Sequence, residues 1–131
     1  MSTMQVTVIT PETEAFRGEA TFVLARATDG DVGVLPNHAP MIAALSIWPL
    51  RIDTSTGESV KLAVFGGFLE VNKNGVFVTA THCERAEDID VKRAKQAEER
   101  ARARLANPVD IDVARAEAAL RRALVRLDVT K

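Results

Sequence analysis

Over residues 81–94 (Thr-His-Cys-Glu-Arg-Ala-Glu-Asp-Ile-Asp-Val-Lys-Arg-Ala) the chain changes its pattern, and that change limits its folds more than any other feature. Before it, apolar residues come in short runs broken by Gly, Pro and Asn, the punctuation of strands and tight turns. After it, Ala, Leu and Val recur three and four residues apart among Arg and Glu, the spacing of amphipathic helices. The expectation is a β module followed by a helical one.

Within the first part, residues 4–10 alternate Met4, Val6 and Val8 with Gln5, Thr7 and Ile9 and stop at Pro11, as a half-buried strand does. Residues 11–18 are polar apart from Phe16 and predict a turn region, and residues 19–27 a second strand with Phe22 and Leu24 on one side. Asp29-Gly30 is a hairpin-turn signal. Pro36 and Pro40 each remove a backbone donor, so residues 28–45 predict a rigid surface loop, the kind of place where binding residues are carried. Residues 47–52, 60–64 and 76–81 read as further strands, with a polar tip at 54–58 and a hairpin turn at Asn72-Lys73-Asn74-Gly75. The pair Gly66-Gly67 inside an apolar run marks a bulge or a close backbone approach. Many short strands spaced in this way predict a small β-sandwich or barrel.

In the second part Asp88 is placed to cap a helix, with Asp90 in its first turn. Ala94, Ala97, Ala101 and Leu105 form a narrow seam that ends at Asn107-Pro108. Asp110 and Asp112 open a second helix with the seam Val113, Ala116, Leu120, Leu124 and Leu127. The short connection predicts an antiparallel hairpin. Alanines allow close helix approach but bury little apolar area, at about 25 cal/mol per Å², so the hairpin is expected to be weakly held and able to move. Ile-Asp-Val-Lys-Arg-Ala at 89–94 returns nearly unchanged as Ile-Asp-Val-Ala-Arg-Ala at 111–116, which general propensity explains as two helix starts. The fold expected is therefore α+β, with a sandwich over residues 1–84 and a helical hairpin over 85–131.

The net charge of −1 conceals an asymmetry: residues 1–80 hold five basic and eight acidic side chains, residues 81–131 twelve and ten, nine of the twelve being Arg. That is a mixed-sign surface rather than a basic stripe, and it argues against nucleic acid as a partner. Five Phe, one Trp and no Tyr also give little with which to stack bases. One cysteine, Cys83, excludes an internal disulfide. No apolar run approaches the roughly 20 residues of a membrane span, and the N-terminus lacks the basic flank and apolar block of a signal peptide, so a soluble chain is expected. There is no phosphate-binding Walker loop, no nucleophile elbow and no metalloprotease helix. His82 and Cys83 are adjacent, and on a strand they would point to opposite faces, unlike a catalytic dyad. Two histidines and a cysteine alone do not make a metal site. Neither catalysis nor a required cofactor is expected.

Three motifs carry a resemblance: Asp-Gly-Asp-Val-Gly-Val-Leu-Pro-Asn-His-Ala-Pro at 29–40, Gly-Gly-Phe-Leu-Glu-Val at 66–71, and Glu-Arg-Ala-Glu-Asp-Ile-Asp-Val-Lys-Arg-Ala at 84–94. They stand in order over nearly the whole chain, which resembles the epsilon subunit of bacterial F-type ATP synthase. The resemblance implies a sandwich of about ten short strands and a C-terminal helical hairpin. It further implies a non-catalytic rotor subunit of the central stalk, held between the gamma subunit and the c-ring at the cytoplasmic face of the bacterial cell membrane and peripheral to it. Such a subunit couples proton flow to ATP synthesis. In many members the hairpin leaves the sandwich and extends along gamma toward the alpha and beta subunits, blocking wasteful ATP hydrolysis.

The resemblance assigns residues as well. The loop over 29–45 meets the c-ring, with Asp31 and His38 as its contacts. Some members bind ATP as a regulatory ligand on the folded hairpin through Ile-or-Leu, Asp, two variable residues, Arg, Ala. Here that pattern is Ile89, Asp90, Arg93 and Ala94, and by position Glu84, Arg100, Arg122 and Arg126 complete the site. Arginines from two antiparallel helices can converge on phosphates. The competing reading is that they pair with Glu98, Glu99 or Glu117 on a solvated face. Beside the rotor function stands a stand-alone nucleotide-sensing module, which would bind ATP without stable partners. The tail stops at Lys131, soon after Leu127, and Asn107-Pro108 is a stiff linker; both bear on how far an extended hairpin would reach.

Overall fold

The computed structural model describes residues 2–131. Seven strands form in the described chain: β1 (Met4–Ile9), β2 (Glu14–Ala27), β3 (Gly30–Val34), β4 (Met41–Thr54), β5 (Ser59–Asn72), β6 (Gly75–Ala80) and β7 (Cys83–Arg85). A single 3-10 turn, Ala86–Asp88, leads to α1 (Val91–Ala106) and then α2 (Val113–Val129). The order along the sheet is β1-β6-β5-β4-β2-β3, and β1 also pairs with β2, so the sheet folds back on itself into a sandwich.

The strand count is seven rather than about ten because β2, β4 and β5 are each 14 residues long and serve both layers. Each turns the corner at an irregularity instead of ending there. The β2–β4 register shifts between Ala20 and Phe22 and again between Leu24 and Ala27, while the β4–β5 pairing skips Ser46 and Gly66 and resumes in the same register. Gly66 and Gly67 hold φ of 82° and 131°, the left-handed region that glycine tolerates. A Cβ on Gly67 would overlap the Thr79 carbonyl oxygen of β6. Of the two readings of the glycine pair, the structure shows the close approach; the register on either side of it is unchanged, so there is no bulge.

Several local expectations change. The turn region at 11–18 is shorter, since β2 begins at Glu14 and pairs with β1. Phe22 and Leu24 do share one side of β2, and the opposite side, with Val23, Ala25 and Ala27, is the one that is buried. Of the loop at 28–45 only the two-residue turn at 28–29 and residues 35–40 stay outside the strands, because β3 pairs with β2 from Gly30 to Val34 and β4 begins at Met41. Pro36 followed by Asn37 at φ 66°, closed by the His38 N–H donating to the Leu35 carbonyl at 3.1 Å, fits a turn that wants φ > 0 at its third residue. Pro49 lies inside β4 opposite Ala63 of β5; on its other side is the stretch between Leu45 and Arg51 where β2 does not pair, so no ladder donor is missed.

The core between the layers is aliphatic, with Val6, Val8, Val23, Val34, Leu50, Ile52, Leu62, Leu69 and Val78 fully buried. The hairpin lies on the outer face of β4 and β5. Val125 and Val129 of α2 pack against Ala63 and Phe65, with Ile47, Ala86 and Ile89 at the margin. Facing α1, α2 buries Ala116 and Ala123 against Ala94 and Ala101. The expected seam of α2 is therefore displaced: Val113 and Leu124 are exposed, because α2 faces two partners rather than α1 alone. Asp90, not Asp88, caps α1, accepting from the Arg93 N–H at 3.1 Å; Asp112 caps α2 in the same way from Arg115. Asp88 closes the 3-10 turn instead, and Asp110, at φ 58°, belongs to the linker. No helix among the described residues is long and apolar enough to cross a membrane.

Substituting Gly67 with Ala is expected to lower stability by about 2–4 kcal/mol, since strained φ and backbone overlap act together. Chemical denaturation monitored by circular dichroism measures it, and Gly57→Ala, at an open turn with nothing near the added methyl, serves as the milder comparison.

Candidate functional site

The two helix starts that repeat in sequence repeat in structure. In each, Asp caps the helix and the Ala four residues on is buried at the helix contact, Ala94 in α1 and Ala116 in α2. The first copy faces a cleft. Ile89 packs beside Phe65 and Val125, which brings the start of α1 down onto the sandwich and next to β7. Arg93 and Arg100 then project from one face of α1, and Arg122 and Arg126 from one face of α2, at spacings that align along a helix.

All eight residues singled out on the hairpin, Glu84, Ile89, Asp90, Arg93, Ala94, Arg100, Arg122 and Arg126, line one cleft of ≈ 550 Å³. Sequence reasoning missed its other three walls, Asp88, Ala97 and Ala119. Ala97 had been read as seam and Asp88 as a cap. Ala119, one turn before Arg122, carried no signal beyond its place on the arginine face. Small side chains at 94, 97 and 119 leave the space that the arginines surround.

The cations divide into two kinds. Arg126 is engaged: its Nε donates to Glu84 Oε1 at 2.7 Å and its Nη2 to Glu84 Oε2 at 2.9 Å. Its guanidinium also lies 4.7 Å from the Phe65 ring centroid. Arg93, Arg100 and Arg122 have no carboxylate within 4.0 Å among the described residues. The glutamates that would have neutralised them are turned elsewhere or stand apart; Glu98 pairs with Arg102 at 2.9 Å. Three unmatched guanidinium groups around a concave surface form a place for a multiply charged anion.

Arg126 holds the Glu84 carboxyl below the usual carboxylate range; burial works against it, and His82, whose Nε2 is 2.7 Å from Glu84 Oε2, assists. Cys83, between them in sequence, is half-buried, and burial pushes its thiol up to about 11.

The other two predicted contacts lie apart from this cleft and are held by different partners. Asp31 on β3 sits 2.6 Å from Arg26 Nε, whose guanidinium stacks 4.3 Å from the Trp48 ring. That Nε makes no aligned hydrogen bond, so charge rather than a directed bond holds the pair. His38 Nδ1 is 2.7 Å from the Ala39 carbonyl oxygen and lines a second cleft of ≈ 470 Å³ with Lys73 and Asn74.

Residues 3–86 match the family described as ATP synthase, Delta/Epsilon chain, beta-sandwich domain, and residues 87–131 match its long alpha-helix domain. The chain belongs to the ATP synthase delta/epsilon family. It is 49% identical over 132 residues, covering all of both chains, to the ATP synthase epsilon chain of Brevibacillus brevis. To that of Carboxydothermus hydrogenoformans it is 50% identical over 103 residues, covering 79% of this chain and 76% of the relative. Among solved structures, the fold is similar to a chain in the mitochondrial ATP synthase of Euglena gracilis (OSCP/F1/c-ring), with a TM-score of 0.83 at 23% identity, covering 98% of this chain and 81% of that one. A chain of the central stalk and c-ring of Tetrahymena thermophila matches with a TM-score of 0.67 at 20% identity, covering 99% and 98%. As in the family, a β-sandwich is followed by two helices.

Two outcomes check this geometry. Because the folded carboxyl of Glu84 is depressed, its contribution to stability is complete above the ordinary carboxylate range, about pH 4.3, and is lost as pH falls through the lower folded value. Thermal melts of the wild type below that range are expected to approach those of Glu84→Gln, which lacks the pair throughout. Replacing Val125 and Val129 together with Asp is expected to free α2, read as fast amide exchange along residues 113–129 while β5 stays protected.

Proposed function

We propose that this chain is the non-catalytic rotor subunit of an F-type ATP synthase central stalk, in which residues 85–131 form a regulatory hairpin that ATP holds against a sandwich of residues 1–84. The sandwich serves as the fixed part, contacting gamma and, through residues 29–45 with Asp31 and His38, the c-ring. The complex lies on the cytoplasmic face of the bacterial membrane, and the subunit reaches the membrane only through its partners.

One observation supports the ATP reading above others: three arginines from two helices, none paired, surround a cleft that also contains the whole Ile89, Asp90, Arg93, Ala94 pattern. The cleft exists only while α1 and α2 lie side by side and α2 lies on β5. A ligand bridging Arg93 and Arg100 on one helix to Arg122 and Arg126 on the other therefore favours the folded hairpin over any extended form. At 100 times the dissociation constant that preference is about 2.7 kcal/mol. With little apolar area holding α2 down, this is enough to shift the balance. Plentiful ATP keeps the hairpin down and the enzyme free; scarce ATP releases it toward the alpha and beta subunits, where it inhibits hydrolysis.

Calorimetric titration of the full chain with Mg-ATP tests the binding. Saturable binding is expected, and Arg122→Ala should weaken it about tenfold or more through loss of a charge-assisted bond worth about 1.5–3 kcal/mol. No binding to the wild type at millimolar ATP would refute the sensing role. In the assembled enzyme, hydrolysis at low ATP is expected to rise on deletion of residues 88–131; unchanged inhibition would refute the inhibitory role.

A further inference from the structure

His82 is a titratable group at the joint between the two modules that the reading above leaves without a task. Its Nε2 is 2.7 Å from Glu84 Oε2, and its ring centroid is 5.3 Å from that of Phe65. The same Phe65 ring carries Arg126, and the same Oε2 accepts from Arg126 Nη2 at 2.9 Å. One carboxylate oxygen thus takes a hydrogen bond from each of two basic side chains resting on a shared aromatic surface.

The charged surroundings can be named element by element. On β7, Glu84 faces His82, while Arg85 is turned to Glu87 at 3.7 Å and Asp88 at 3.5 Å. From α2 comes Arg126, engaged with Glu84. β5 contributes Phe65, which has no charge and whose N–H donates to the His82 carbonyl at 3.0 Å. Beyond Glu84, the cleft holds Asp88, Asp90, Arg93, Arg100 and Arg122.

We propose that His82 is a positioning residue that makes the cleft's hold on a polyphosphate depend on pH, by competing with Arg126 for the Glu84 carboxylate. This rests on the reading of the cleft as an ATP site.

Neutral imidazole donating from Nε2 and imidazolium both satisfy Glu84. Imidazolium also places a positive charge against it. The net attraction of Glu84 for Arg126 then falls, and Arg126 turns more readily to a phosphate in the cleft. The added charge raises the potential felt by the anion as well. Both effects act in the same direction: affinity rises as pH falls through the range where imidazole charges, about pH 5–8, and is lost as pH rises through it. Linkage requires the reciprocal effect, that a bound polyanion favours protonated His82 and that binding takes up protons.

The test uses the full chain and ATP, titrated calorimetrically at about pH 6 and about pH 8. Wild type is compared with His82→Gln, which keeps a donor but no titratable charge, and with His82→Lys, which carries a fixed charge. The side chain is 53% exposed, so neither change disturbs the core, and melting curves confirm folding. The ligand's own titration is common to all three proteins. The ratio of affinities at the two pH values is expected to be about threefold larger in wild type than in His82→Gln, the scale of one partly screened charge. His82→Lys is expected to show the smaller ratio too, with the tighter affinity at both pH values. In wild type, the midpoint of the His82 imidazole NMR titration is expected to rise when ATP saturates the site. Equal ratios in wild type and His82→Gln, or an unmoved midpoint, overturn the proposal while leaving the ATP site standing. Absence of ATP binding at both pH values overturns both.

Discussion

The hairpin's position depends on a contact of four buried residues, Ala63 and Phe65 of the sandwich against Val125 and Val129 of α2. Everything that gathers in the cleft follows from it. Once α2 is seated there, Arg126 reaches Glu84, α1 is carried alongside by the alanine contact, and Ile89 is pressed beside Phe65. The contact is small, and the Arg126–Glu84 ion pair stands at its edge. Phe65 takes part in both, with one part of its ring in the apolar contact and its surroundings shared with Arg126 and His82.

The sandwich is built so that this contact has something firm to meet. β4 and β5 stay paired along nearly their full length, and their inner faces carry Leu50, Ile52, Leu62 and Val64 into the core. β7 attaches to the same strand, with Glu84 opposite Ala63. The carboxylate that engages Arg126 is thus fixed by backbone pairing to the strand on which α2 rests. Sheet register, rather than side-chain reach alone, sets the distance between the two.

Much of this was legible in the chain itself. The apolar alternation of Val6 and Val8 in β1, the hairpin turn at residues 72–75 and the stop of α1 rest on local chemistry and hold in the structure. The eight residues that the family resemblance singled out also line one cleft, and helix spacing is consistent with the pairing of Arg93 with Arg100 and of Arg122 with Arg126. Other features depended on what a segment meets across space. The bent strands looked like separate short ones, since a bend within a strand and a break between strands interrupt the local pattern in the same way. Phe22 and Leu24 outweighed Val23 and Ala25 in bulk, yet the smaller residues face inward. The α2 seam was drawn for a single partner, and only the second one, β5, explains why Val125 is buried and Leu124 is not. Asp88 and Asp90 are equally good caps on paper; the 3-10 turn decides between them.

Cys83 gives the joint a chemical character of its own. It lies between His82 and Glu84, next to the point where the two modules part, and a regulatory thiol would have ready access to the hinge there. Held half-buried with its proton bound up to about pH 11, it offers almost no thiolate at neutral pH. Peroxide and disulfide exchange both act on the thiolate, so burial makes Cys83 a poor target for either.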